Sequence, residues 1–155
     1  MADLGLVRLL YAVHLANFQF ECSIYLQQEG RDFDLHNDFS FIGFSYSVTD
    51  RLAELRWKRS TGDWVRAEVP AALVLTYRGM THLSVCARDP KIPFSEDDCL
   101  SQISFVLPES PLEDAFQVSP AAPAFDTSWH WLFSFMSGFT LRLASESAEL
   151  STPKA

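Results

Sequence analysis

Eight separate stretches of this chain alternate apolar and polar residues with a period of two, which marks them as strands half-buried in a sheet. The clearest runs Phe18-Gln19-Phe20-Glu21-Cys22-Ser23-Ile24-Tyr25-Leu26, with every even position apolar. Such a strand buries one face and wets the other, the pattern of an antiparallel sheet with its core on one side. Later rows repeat it. Ser40 to Val48 is predicted to turn Ile42, Phe44, Tyr46 and Val48 inward, followed by Ala53, Leu55 and Trp57. Leu73, Leu75 and Tyr77 form a further row, which Gly79-Met80 is predicted to close as a hairpin onto Leu83, Val85 and Ala87. Ile103, Phe105 and Leu107, then Trp129 to Phe135, then Phe139, Leu141 and Leu143 complete the set.

The expected fold is therefore mainly β. A single domain over residues 1–145 would hold about seven to eight antiparallel strands, in a sandwich or a strongly curved sheet. Leu6, Leu9, Leu10 and Val13 fit a helical stripe that Asp3 would cap, while Val7, Leu9, Tyr11, Val13 and Leu15 fit a strand equally well; the Leu and Ala content favours a short N-terminal helix over 4–16. Residues 28–38 and 108–127 read as loops, and the polar end 146–155 as a mobile tail.

Size and composition permit this fold without staples. A domain of 155 residues buries roughly 70% of its unfolded surface, and thirteen Phe supply ample apolar volume. Cys22, Cys86 and Cys99 are odd in number and lack CxxC spacing, so no disulfide framework is implied and a reducing cytosol is expected. The Leu4–Leu15 run lacks the basic start and small-residue end of a signal peptide. No apolar run reaches the ~20 residues of a membrane span.

The net charge of −8 disfavours nucleic acid and anionic membranes as partners and suits a basic protein. Acids gather in three loops, 29–38, 96–98 and 109–126, while Arg51, Arg56, Lys58, Arg59 and Arg66 surround one hairpin. If the acidic loops share a rim, they would steer a basic partner. The candidate binding residues are Asp32, Asp34, Asp38, Glu96, Asp97 and Asp98.

Catalytic and cofactor chemistry finds little footing. His82 and Cys86 sit roughly 13 Å apart along a strand and cannot share a metal. Neither carboxylate group has the spacing and Gly of a calcium loop. There is no GxSxG elbow, and the glycines occur singly, so no loop cradles phosphate. No catalytic residue, metal or cofactor is expected. An alternative remains: a lipid-like small molecule held inside a curved, aromatic-rich sheet, with or without hydrolysis.

The row Leu73-Val74-Leu75-Thr76-Tyr77-Arg78-Gly79, followed by Leu83-Ser84-Val85, resembles bacterial immunity proteins of polymorphic toxin systems. The closing Trp131-Leu132-Phe133-Ser134 and Ser137-Gly138-Phe139-Thr140-Leu141-Arg142-Leu143 hairpin is similar to the end of several such sheets. The resemblance spans Phe39 to Leu143. It implies a protein that binds and inhibits a cognate toxin without catalysis of its own, and it transfers no functional residues.

Overall fold

The computed structural model describes residues 14–117 and 128–154. They form a mainly β domain with ten strands and no α-helix. The strands are β1 (His14–Leu15), β2 (Gln19–Cys22), β3 (Tyr25–Gln28), β4 (Arg31–Asp34), β5 (Phe39–Ser47), β6 (Leu52–Arg59), β7 (Ala72–Cys86), β8 (Leu100–Val106), β9 (His130–Phe135) and β10 (Thr140–Ser151). Seven belong to one sheet ordered β5-β6-β7-β10-β9-β8, with β1 beside the second half of β10. Strands β2, β3 and β4 form a smaller sheet.

The large sheet curls until its ends meet. Phe41 on the first strand donates its N–H to the Asp98 carbonyl just ahead of the last strand, at 2.8 Å. The small sheet packs Phe18, Phe20, Leu26 and Phe33 onto the concave face. That face is filled by rings, with Trp131 in contact with Phe18, Phe20, Tyr77, Phe105 and Phe133. Trp57, Tyr77, Phe39, Phe105 and Phe133 are fully buried there. Edge-to-face and tilted ring pairs of this kind add to what their buried area contributes.

Ala53, Leu55, Trp57, Leu73, Leu75 and Tyr77 point into this core as the alternation predicts. Several expectations change, among them the reading of 28–38 as one loop, since Arg31–Asp34 pairs with β3 as strand β4. Phe18 to Leu26 is not one strand but a hairpin, because Ser23 takes a positive φ of 43° and reverses the chain. Gly79-Met80 does not close a hairpin either. Strand β7 runs unbroken for fifteen residues, and Gly79 (φ 68°) belongs to an irregularity where Ser145 pairs with Met80 straight after Ala144 pairs with His82. A left-handed glycine relieves a bulge as readily as a turn.

The row Ile42, Phe44, Tyr46, Val48 also comes apart. A bulge between Phe41 and Gly43 shifts the phase, so Phe39 and Phe41 take the core positions and Ile42 stays 61% exposed. Beyond it, Phe44 and Tyr46 lie opposite Leu55 and Ala53 and so share the inner face, yet at its open rim they remain 36% and 39% exposed.

Lastly, residues 146–151 are no mobile tail. They extend β10 between β7 and β1, with Ala148 and Leu150 buried. Asn17 clamps this end, its side chain donating to the Leu150 carbonyl and accepting from the Leu150 N–H, both at 2.8 Å. Of the predicted N-terminal helix, residues 4–13 lie outside the described residues, whereas His14–Leu15 is a strand and pairs parallel to β10.

The Tyr77 hydroxyl is buried without a hydrogen-bond partner among the described residues, and burial pushes its pKa well above the usual value. An unpartnered buried hydroxyl costs about 1–3 kcal/mol of desolvation. Tyr77→Phe is therefore expected to leave stability unchanged or raise it by about 1 kcal/mol. Urea denaturation reads this directly, and a loss above that size would reveal a partner for the hydroxyl.

Candidate protein-binding rim

Two acidic segments sixty residues apart in sequence meet at one end of the curled sheet. The first is the turn after β4. The Asp34 carboxylate accepts the His36 and Asn37 N–H groups at 3.0 and 2.9 Å and the Asn37 side-chain amide at 2.8 Å. This is how an aspartate holds a turn with its own side chain. The second segment follows Pro93, where Phe94–Glu96 makes one turn of 3-10 helix. Arg88 donates to Asp97 at 2.8 Å and lies 4.6 Å over the Phe94 ring. His36 joins the two segments, with its Nδ1 2.5 Å from the Leu100 carbonyl and 3.6 Å from Cys99 Sγ.

The expected binding residues divide accordingly. Asp34 and Asp97 are committed to local structure. Asp98 is exposed, Asp38 and Glu96 are half-buried, and Asp32 is exposed on β4, where Gln27 donates to it. Of the third acidic loop, Asp126 lies outside the described residues. Among the basic group, Arg56, Arg66 and Arg51 pair with Glu54, Glu68 and Glu146.

Three titrating groups register the negative surroundings. Burial and then Asp34 raise the pKa of Asp38, against which Arg66 acts. Burial, then Glu96 and Asp98, raise that of Cys99. Asp34 first, then burial, raises that of Tyr25.

The Cys99–His36 pair is not built for nucleophilic attack. A raised thiol pKa disfavours the thiolate, and the His36 Nδ1 at hydrogen-bond distance from a carbonyl must carry its proton and cannot accept one. Among the described residues no three His, Cys, Asp or Glu side chains are grouped to hold a metal.

Sequence reasoning missed the apolar neighbours of the rim. Ile42, Phe44 and Tyr46 lie exposed along β5, and Val48 just beyond its end. The signal available was Gly43, since a glycine inside a strand pattern often marks a bulge and so a change of face. Beside them opens a crevice of about 280 Å³ lined by Phe41, Ile42, Phe139, Arg88, Asp97 and Asp98.

A second polar cluster occupies the convex face. His130 lies against His82 as a tilted pair with ring centroids 4.6 Å apart, and its Nδ1 accepts the Arg142 Nε–H at 3.0 Å. Burial first, then His82 and Arg142, lower the His130 pKa from 6.5 to about 4. The native state thus favours neutral His130, and protonation at Nδ1 would turn the acceptor into a second donor. The stability this contributes is complete above pH 6.5 and is lost as the pH falls toward 4. At ~1.4 kcal/mol per pKa unit the loss amounts to about 3 kcal/mol. Burial, then Arg142, lowers the His82 pKa as well, and so acts in the same direction. Denaturation of the protein and of His130→Gln at pH 7 and pH 4 checks this: the difference between the two should shrink on acidification.

Comparison with protein-family models, with characterised proteins and with solved structures finds no match to this chain. No helix among the described residues is long and apolar enough to cross a membrane.

Proposed function

We propose that this chain is a non-catalytic binding protein that engages a basic protein partner at its acidic rim. In keeping with the resemblance to immunity proteins, the partner is a toxin met in a bacterial cytoplasm. The meeting of the Asp34–Asp38 turn with the Glu96–Asp98 segment, joined by His36 to Leu100 and by Phe41 to Asp98 across sixty residues of sequence, carries this reading. Like charges concentrated at one end raise the encounter rate with a basic surface more than they raise affinity. The alternative of a lipid-like ligand loses support, because Trp57, Tyr77, Phe105, Trp131 and Phe133 occupy the volume such a ligand would need.

The test is association with the protein encoded beside this chain, followed by stopped flow at several salt concentrations. Asp38→Lys, Glu96→Lys and Asp98→Lys together should lower the association rate constant by about tenfold or more at low salt and flatten its salt dependence. An unchanged rate and slope would remove the electrostatic reading. Asp34 and Asp97 are left intact because they hold the turn and the Arg88 contact.

A further inference from the structure

We infer that the basic partner docks as an extended strand added to the free edge of β5, with a lysine or arginine seated at Asp98; this rests on the binding function proposed above. The direction of the main chain along β5 follows from its neighbour. Arg59 donates its N–H to Ala71, ahead of β7, at 2.9 Å, and β6 pairs with β7 without a register break. Alternate residues of an antiparallel strand turn their main chain to opposite sides. Trp57, Leu55 and Ala53 therefore also face β7, and the residues opposite them, Phe41, Phe44 and Tyr46, face the open edge. Phe41 is already taken by the Asp98 carbonyl. The N–H groups of Phe44 and Tyr46 meet no partner among the described residues.

The other end of the large sheet is protected. On β8, Ile103 donates to Ser23 at 2.6 Å, and Phe105 exchanges hydrogen bonds with Phe116. Natural sheets tend to cover, charge or shorten their edges. The stretch from Gly43 to Ser47 instead carries aromatic side chains at a half-exposed rim, over about 17 Å at ~3.3 Å per residue. Such an edge takes affinity from main-chain hydrogen bonds and selectivity from side-chain pockets.

The pocket here selects charge. Phe41, Ile42 and Phe139 offer an apolar wall to the stem of a long side chain, and Asp98 stands beside them. Arg88 is committed to Asp97 and Phe94, whereas Asp98 has no ion pair among the described residues. The vacant carboxylate complements a cation.

Amide hydrogen exchange by NMR on the whole chain tests this with three blocked octapeptides: (Lys-Val)4, its fully N-methylated analogue, and (Glu-Val)4. The expected result is that (Lys-Val)4 slows exchange at Phe44 and Tyr46 by about tenfold or more. The N-methylated analogue should leave both amides unprotected, and Asp98→Asn should weaken (Lys-Val)4 about fivefold. Charge-dependent binding without protection of these two amides would overturn strand addition while leaving the basic-partner reading intact. Equal protection by (Glu-Val)4 would keep strand addition and defeat the basic partner. Protection that rises with protein concentration, without peptide, would show a second copy of this chain on the edge and overturn the proposal.

Discussion

Replacing Arg142 with Met is expected to lower the unfolding free energy by about 3–5 kcal/mol, more than a surface arginine would cost. Arg142 is 8% exposed, yet its guanidinium lies over the convex face of β10 as a fork. Nη1 donates to the Ser110 carbonyl at 2.8 Å, Nη2 to the Leu107 and Pro108 carbonyls at 3.1 Å, and Nε to His130. These bonds fasten the 107–110 segment over a stretch of sheet buried on both faces, where Val106, Leu132 and Ala144 are covered. Methionine would fill much of the space but leave three carbonyls and an imidazole nitrogen without their donor. Each orphaned acceptor costs about 1–3 kcal/mol, reduced where water can enter. Arg142→Lys should restore less than half of the loss, since one ammonium cannot span the fork. Urea denaturation of the three proteins decides it, and a loss below about 1 kcal/mol for Arg142→Met would show the fork to be dispensable.

Trp131→Ala is expected to cost about 3–5 kcal/mol and to leave a marginal fold. Trp131 is fully buried, and it joins the two sheets by touching Phe18 and Phe20 on one side and Tyr77 and Phe105 on the other. Truncation would empty a volume whose walls belong to strands from both sheets, so the site cannot collapse without moving a sheet. Trp131→Phe keeps most of the contacts and should cost about half as much. Near-equal stability of Trp131→Ala and the parent would mean that the small sheet does not depend on this contact.

Much of the sheet was legible in the alternation. Ala53, Leu55, Trp57, Leu73, Leu75 and Tyr77 occupy the face that their period assigns, since a period of two sets the side of every residue once a strand is given. Irregularities leave no mark in the alternation. Ser23 with its positive φ and the bulge after Phe41 each change face or direction within one residue, and neither breaks the apolar pattern around it. Gly79 lies within a continuous strand and not in the expected turn, because a left-handed glycine suits turns and bulges alike. The end of β10 was lost for another reason. Ser145-Glu146-Ser147-Ala148-Glu149-Leu150 reads as polar, and only its pairing on both sides with β7 and β1 holds it in a strand.

The rim divides in the same way. The acidic residues were visible as composition, and the turn role of Asp34 follows from a local rule. Their proximity was not visible, since it depends on a hydrogen bond from Phe41 to Asp98 and on His36 reaching Leu100. The strand character, the one-sided core and the surplus of negative charge were determined by residue order and type, because each is a property of neighbours in the chain. Which acids stand together, and which strand is left with a bare edge, were decided only when the sheet curled and brought its two ends within hydrogen-bond reach. Contacts of that separation leave no trace in a local pattern.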